Sequence, residues 1–144
     1  MTAQFPADKK EFIEDLLAQP VLARLATSNI KTGQPHVVPV WFLWDGTCIW
    51  ISAFSSTRKM RDLANNPRAS VLIEPKETDK LQGVLFEGPV ELISQPPELV
   101  VELSVRIYVH YLGVEGAQAA EPQSWANDPE NRIIKLTPRH IAAW

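Results

Sequence analysis

The sequence predicts a mainly β fold, an antiparallel sheet closed as a small barrel with helices packed outside it. Three observations carry this. Apolar residues alternate with a period of two in several short segments. Asp45-Gly46, set between two such segments, is a strong two-residue hairpin signal. Helical patterns are too few to supply the crossovers that a parallel sheet needs between most of its strands.

The elements follow in order. Asp8 and Glu11 have capping-box spacing, Phe12, Ile13, Leu16 and Leu17 recur with helical period, and Pro20 lies just beyond, so a helix is expected over Asp8 to Ala18. Val21 to Thr27 alternates as a strand, and the polar stretch Ser28 to Gln34, with Gly33, turns the chain. Pro35 to Trp44 is a longer strand. It places His36, Val38, Val40, Phe42 and Trp44 on one face and Val37, Pro39, Trp41 and Leu43 on the other. Pro39 cannot donate to a ladder, so it implies an edge, a bulge or an opening. Thr47 to Ala53 returns as the third strand.

A short helix then runs to Asn65-Asn66-Pro67, with Met60, Leu63 and Ala64 able to pack inward. Ala69 to Glu74 is a strand, and so is Val84 to Ile93, where Gly88-Pro89 suggests a sharp bend. Ser94 opens a long helix that Gly113 stops, its stripe formed by Leu99, Leu103, Ile107 and Tyr111. Val114 to Asn131 reads as a loop, long enough to be functional, and holds Trp125. Ile133 to Leu136 is the last strand, and Thr137-Pro138 turns the chain towards Trp144. The 144 residues form one domain, 1–144.

Composition excludes several classes. The net charge of −3 and the lack of a long Lys/Arg run argue against a nucleic-acid binder. One cysteine, Cys48, allows no internal disulfide and points to a reducing, cytoplasmic setting. No signal-peptide pattern and no membrane-length apolar run are seen. His36, His110 and His140 lack metal-ligand spacing, so no metal is expected. No nucleophile elbow or P-loop occurs, and nothing around Asp62 and Glu74 supports them as an acid–base couple; no catalytic side chain is assigned. Chemistry here would come from a cofactor.

The most informative run is Ser55 to Arg61. Arg58, Lys59 and Arg61 fall at the start of the short helix, where unpaired N–H groups already carry about half a positive charge. Acids belong at that end. A bound anion resolves the conflict: a phosphate held by the hydroxyls of Ser55, Ser56 or Thr57, by helix N–H groups, and by Arg58 and Lys59. The alternative is a solvated basic face paired with Asp62 or nearby acids. The five tryptophans could build core or stack on a planar ligand. Trp41 is the candidate for a ring, whereas Trp44 and Trp50 read as barrel core.

Several of these residues also carry a resemblance. Gly33-x-Pro35-His36-Val37-x-Pro39-Val40-Trp41-Phe42 precedes Asp45-Gly46; then come Arg58-Lys59, Leu63-x-x-Asn66-Pro67-Arg68-Ala69-Ser70-Val71 and Phe86-Glu87-Gly88-x-Val90-Glu91. The chain closes on Arg132-Ile133-Ile134-Lys135-Leu136-Thr137-Pro138-Arg139. From about Leu17 to Trp144 it resembles the pyridoxamine 5′-phosphate oxidase-like, FMN-binding split-barrel superfamily. The resemblance implies a six-stranded antiparallel split β-barrel and a homodimer with two cofactor sites at its interface. It implies a flavin-dependent oxidoreductase passing hydride between FMN and a small substrate or nicotinamide. Arg58 and Lys59 would hold the FMN phosphate. The strand Val38, Pro39, Val40 and Trp41 would line the ring, Ser52 and Ala53 would meet the ribityl chain or ring, and Gln82 would reach the other subunit's cofactor.

Three departures separate the chain from the B6 oxidases themselves. Val38 stands where those enzymes carry a phosphate-gripping arginine, the Arg-x-His substrate motif is missing, and so is the Trp-rich closing segment. Vitamin B6 oxidation is therefore not expected. The chain resembles short actinobacterial-type relatives, some of which use the deazaflavin F420. F420 is the alternative cofactor, with Lys9, Lys10 and Arg24 as candidates for its acidic tail. A third reading is a non-catalytic flavin or haem carrier, with His36 or His110 as haem ligand. Trp125 is a lid residue or a dimer anchor.

Overall fold

The structure, a computed structural model, describes residues 3–144. A 3-10 turn, Ala7–Lys9, leads into helix α1, Lys10–Leu17. Strands β1 (Ala23–Ser28), β2 (Pro35–Val40), β3 (Leu43–Trp44) and β4 (Ile49–Phe54) follow. Helix α2 spans Arg58–Asn65, and strands β5 (Arg68–Ile73) and β6 (Val84–Ile93) come next. Helices α3 (Pro97–Ala117) and α4 (Ala120–Ala126) precede strands β7 (Asn131–Leu136) and β8 (His140–Ala143).

The strands form one antiparallel sheet of eight segments in the order β2-β1-β5-β6-β7-β4-β3, with β8 paired to β6. The two ends of that order, β2 and β3, are joined in sequence only through Trp41 and Phe42. The sheet therefore curls into a barrel with an open seam, the split barrel that the sequence predicts. Pro39 sits on β2, at the sheet's edge, paired with Arg24 of β1, so its missing N–H costs no ladder bond on the open side.

Strand count differs from expectation for two reasons. The segment Pro35 to Trp44 breaks after Val40, giving β2 and β3, and the closing residues His140–Ala143 pair with Val84 to Glu87 as β8. β6 pairs with β5 along Val84 to Pro89 and with β7 along Val90 to Ile93. It changes partner at Gly88-Pro89, the predicted bend.

Alternation decides what each strand buries. Ile49, Ile51 and Ala53 of β4 point into the barrel, while Trp50, Ser52 and Phe54 point outward. Phe42, Phe86, Leu25, Ile51, Ile73 and Val84 fill the interior, each worth about 1.5–3 kcal/mol for its burial. A second apolar cluster lies between the outer face of β4 and β7 and the helices, built on Leu103, Ile107, Tyr108 and Ile133. Trp44 packs on Phe5 and Phe86 in the barrel core, as expected. Trp50 belongs instead to the outer cluster, its indole N–H donating to Asp45 at 2.8 Å.

The helices depart from expectation in instructive ways. Asp8 makes no cap bond, since α1 starts at Lys10 after the 3-10 turn. Ser94 does not cap α3, which follows Pro96. The buried face of α3 is Val100, Leu103, Ser104, Ile107 and Tyr108, with Leu99 and Tyr111 half-buried at its margins. Gly113, at φ 77°, breaks the helix where the sequence predicts a stop, and the departure is that helix resumes beyond it to Ala117. The supposed loop 114–131 thus carries the end of α3 and all of α4. Pro122 falls in the first turn of α4, where proline does no harm.

The β3–β4 turn is pinned by Asp45. Its carboxylate accepts from the backbone N–H groups of Thr47 and Cys48, both at 2.7 Å, and from Trp50. Partial burial works to raise the Asp45 pKa; the bonds from Cys48, Trp50 and Thr47 and the charge of Lys135 outweigh it and hold the pKa below the usual value. A depressed carboxylate pKa stabilises the fold above about pH 4 and loses that contribution as pH falls through the folded-state value. Asp45→Asn is therefore expected to lower the urea midpoint at pH 7, with the gap to wild type narrowing at pH 3. An equal gap at both values would contradict this reading of the turn.

Candidate active site

A cleft of about 470 Å³ opens beside the barrel seam. Its walls come from the end of β2 (Pro39, Val40) with Trp41, from β4 (Ser52, Ala53, Phe54), from Thr57 and Lys59, and from α3 and α4 (Ile107, Tyr108, Trp125). Leu22 completes it. No Asp, Glu or His is among these residues.

One wall is aromatic. Trp41 stacks on Tyr111 with centroids 4.7 Å apart and planes 6° from parallel. It meets Tyr108 and Trp125 edge-on at 6.1 and 6.4 Å. One face of Trp41 is therefore already taken. Tyr111 anchors this wall to the barrel by donating to the Val21 carbonyl at 2.8 Å and accepting from Phe42 N–H at 3.1 Å. Burial pushes its phenol up to about 12, with the Phe42 bond pulling partly the other way.

The far end of the cleft is cationic. Lys59 is half-buried, and burial lowers its pKa. Among the described residues no acid pairs with it and no hydrogen bond is made by its ammonium. The helix start beside it has no acidic residue and no side-chain cap. The first N–H groups of α2 are thus left for a ligand or water.

Residues predicted for this site fall into two groups. Pro39, Val40, Trp41, Ser52, Ala53, Thr57 and Lys59 come together in the cleft. Val38, Ser56, Arg58 and Gln82 do not line it. Strand alternation turns Val38 against the barrel core. Ser56 is exposed, and its carbonyl accepts from Arg61 at 3.2 Å. Successive helix residues diverge by about 100°, so Arg58 faces a neighbouring polar cleft of about 550 Å³ with Lys31 and Arg61. Gln82 lies on the connection between β5 and β6, its side chain 3.5 Å from Thr78.

The hydroxyls of the loop before α2 are more committed than expected. Ser55 donates to the Glu130 carboxylate at 3.1 Å and Thr57 to the Phe54 carbonyl at 2.8 Å. Neither proton is free for a phosphate. Asp62 is no partner for the basic face either. It is buried and accepts from Thr27 Oγ1 at 2.9 Å, tying α2 to β1, while Ala64, expected inside, is exposed. Thr27→Val keeps the shape but strands that carboxylate, at a cost of about 1–3 kcal/mol. The expected result is a lower urea midpoint and faster amide exchange in α2; an unchanged midpoint would mean that this bond does not hold the helix.

Sequence reasoning missed Tyr108, Tyr111 and Trp125 as parts of one wall. His110 faces Gln19 O at 3.0 Å. Among the described residues no histidine lines the cleft, and no group of three His, Cys, Asp or Glu side chains could hold a metal ion. No helix there is long and apolar enough to cross a membrane.

The split-barrel fold places the chain in a recognisable class, and comparison with known proteins agrees on the fold. Residues 10–144 match the model of the pyridoxamine 5′-phosphate oxidase family, and the chain belongs to that family. Among solved structures, a conserved hypothetical protein from Mycobacterium tuberculosis is similar with 25% identity and a TM-score of 0.78, over 99% of this chain and 89% of that one. An F420 reductase is similar at 23% identity and a TM-score of 0.72, over 90% and 94% of the two chains. The haem storage protein of Vibrio cholerae is similar at 16% identity and a TM-score of 0.75, over 94% and 92%. No curated protein matches in sequence.

Proposed function

We propose that the chain is an FMN-dependent oxidoreductase that passes hydride between the flavin and a small substrate or a nicotinamide. The observation that carries this is Lys59, a half-buried cation without an acid partner, at one end of a cleft with aromatic walls. A phosphate supplies the missing counter-charge and a flat ring suits the rest. Lys59 and the first N–H groups of α2 would hold the phosphate. The strand end Pro39 to Trp41, with Ser52 and Ala53, would flank the ring. A bound flavin would itself supply the hydride chemistry; the protein contributes position and exclusion of water.

The cofactor sites would lie at a homodimer interface. In support, the outer face of β1, β5 and β6 bears a hollow of about 1170 Å³ walled partly by small residues, Ala26, Ser28, Ser70 and Gly88. Ile30 and Val37 stand exposed nearby on the turn and on β2. In such a dimer Gln82, which does not line its own chain's cleft, would serve the other cofactor.

F420 is the second reading. Of the candidates for its acidic tail, Lys10 lies 3.9 Å from Glu14 and Arg24 lies 3.6 Å from Glu74. Neither these two nor Lys9 lines the aromatic cleft. Lys31, Arg58 and Arg61, on the other flank of α2, are better placed for such a tail. For haem, the cleft offers no histidine. Absorption titration of the purified protein with FMN, F420 and haemin separates the three. FMN is expected to bind most tightly. Tighter F420 binding would favour the second reading, and a Soret band at one equivalent of haemin with no flavin binding would overturn both.

A further inference from the structure

Beneath the aromatic wall lies a chain of hydroxyl and amide groups that the phosphate end does not use. Ser52 Oγ is 3.3 Å from Tyr108 Oη and 3.4 Å from Asn131 Oδ1. Asn131 is fixed by donating to Ser104 Oγ at 2.9 Å and to the Ala126 carbonyl at 3.1 Å. Asn131 and Ser104 are buried. Both contacts of Ser52 are long beside the 2.7–2.8 Å usual for O–H···O bonds. Tyr108 and Ser52 both line the cleft, so their hydroxyl pair is held in place yet loosely satisfied.

We infer that Tyr108, positioned by Ser52, donates a hydrogen bond to the carbonyl oxygen of a flat conjugated ring lodged in this cleft. The inference rests on the reading of the cleft as a ring-binding site. The single Ser52 proton goes to Asn131 Oδ1, which can only accept, so Ser52 takes the Tyr108 proton at 3.3 Å; that contact is long enough for a ligand carbonyl to claim the phenol proton instead. Burial raises the Tyr108 pKa, against the bonds with Ser52 and Ser104, so the phenol stays protonated at neutral pH. The cleft has no acid to pair with an ammonium, whereas a neutral carbonyl suits its aromatic walls. Such a carbonyl occurs on the pyrimidine edge of a flavin and on quinone- or enone-type substrates alike.

Two binding measurements distinguish these sources. The first is the FMN dissociation constant and visible spectrum of wild type and Tyr108→Phe. The second is the dissociation constant of 1,4-naphthoquinone for the FMN-loaded proteins. If the carbonyl is the cofactor's, Tyr108→Phe weakens FMN about 3- to 10-fold and shifts its visible band. If it is the substrate's, FMN binding stays as in wild type and naphthoquinone weakens by a similar factor. Ser52→Ala is expected to move the same quantity by a smaller factor, and it serves in place of Tyr108→Phe should that variant fail to fold. Unchanged binding of both ligands in the folded variants overturns the inference. A wild type that binds neither FMN nor F420 overturns the proposed function instead; the quinone titration of the unloaded protein then decides the hydroxyl pair alone.

Discussion

Lys59→Ala is expected to weaken FMN binding roughly 10- to 150-fold, while riboflavin, which lacks the phosphate, binds within about threefold of its wild-type affinity. The magnitude is that of a charge-assisted hydrogen bond to phosphate made by a partly desolvated cation. Lys59 already bears part of the cost of leaving water, as its lowered pKa records, and nothing among the described residues repays it. Removing the side chain should also stabilise the unloaded protein slightly, because an unpaired, half-buried charge disappears. Arg58→Ala should have a smaller effect on FMN, since Arg58 faces the neighbouring cleft. The double variant should retain no flavin through purification. Isothermal titration of the four proteins with FMN and riboflavin checks all of this. Equal losses for FMN and riboflavin would mean that Lys59 does not meet a phosphate.

Gly88→Ala is expected to cost about 3 kcal/mol of stability, through overpacking that cannot relax. A Cβ at this position would collide with the carbonyl oxygen of Thr137, and Arg139 N would lie 3.1 Å away. Both neighbours are backbone, so no side chain can rotate aside. The strain falls where β6 changes partner from β5 to β7 and where the chain turns from β7 into β8. Both halves of the barrel feel it. The melting temperature should fall by roughly 10 °C. A shift under about 2 °C would show that the β7–β8 turn yields more readily than its packing suggests.

Legibility in the sequence followed the length scale of each signal. Period-two alternation and the punctuation at Asp45-Gly46 and Gly88-Pro89 are local, so the strands and the bend of β6 were readable. Four-residue β8 carries too little pattern to be seen, and it exists because β6 offers it an edge. The α4 segment was obscured by Pro122, which reads as a breaker unless the helix start is known. The sequence stripe puts Leu103 and Ile107 on the inner face of α3, where they lie, but extending the same line to Tyr111 passes over Tyr108.

The candidate site divides in the same way. The charge conflict at the start of α2 is a sequence fact, and it points to Arg58 and Lys59 together; only Lys59 lines the cleft. That Arg58 faces elsewhere follows from helical geometry applied to a known axis. The meeting of Tyr108, Trp125 and Ser52 needs the packing of α3 and α4 over β4, which no short window encodes. Thr57 shows the limit of residue type as a guide: its hydroxyl is well chosen to bind an anion, yet it spends its proton on Phe54.

A crystal structure of the FMN complex tests the role of this cleft most directly. The phosphate is expected within hydrogen-bond distance of Lys59 Nζ and the first N–H groups of α2, with the ring between the Pro39–Trp41 segment and β4. A flavin lodged instead in the hollow beside Arg68 and Arg139, with Lys59 facing only solvent, would contradict it.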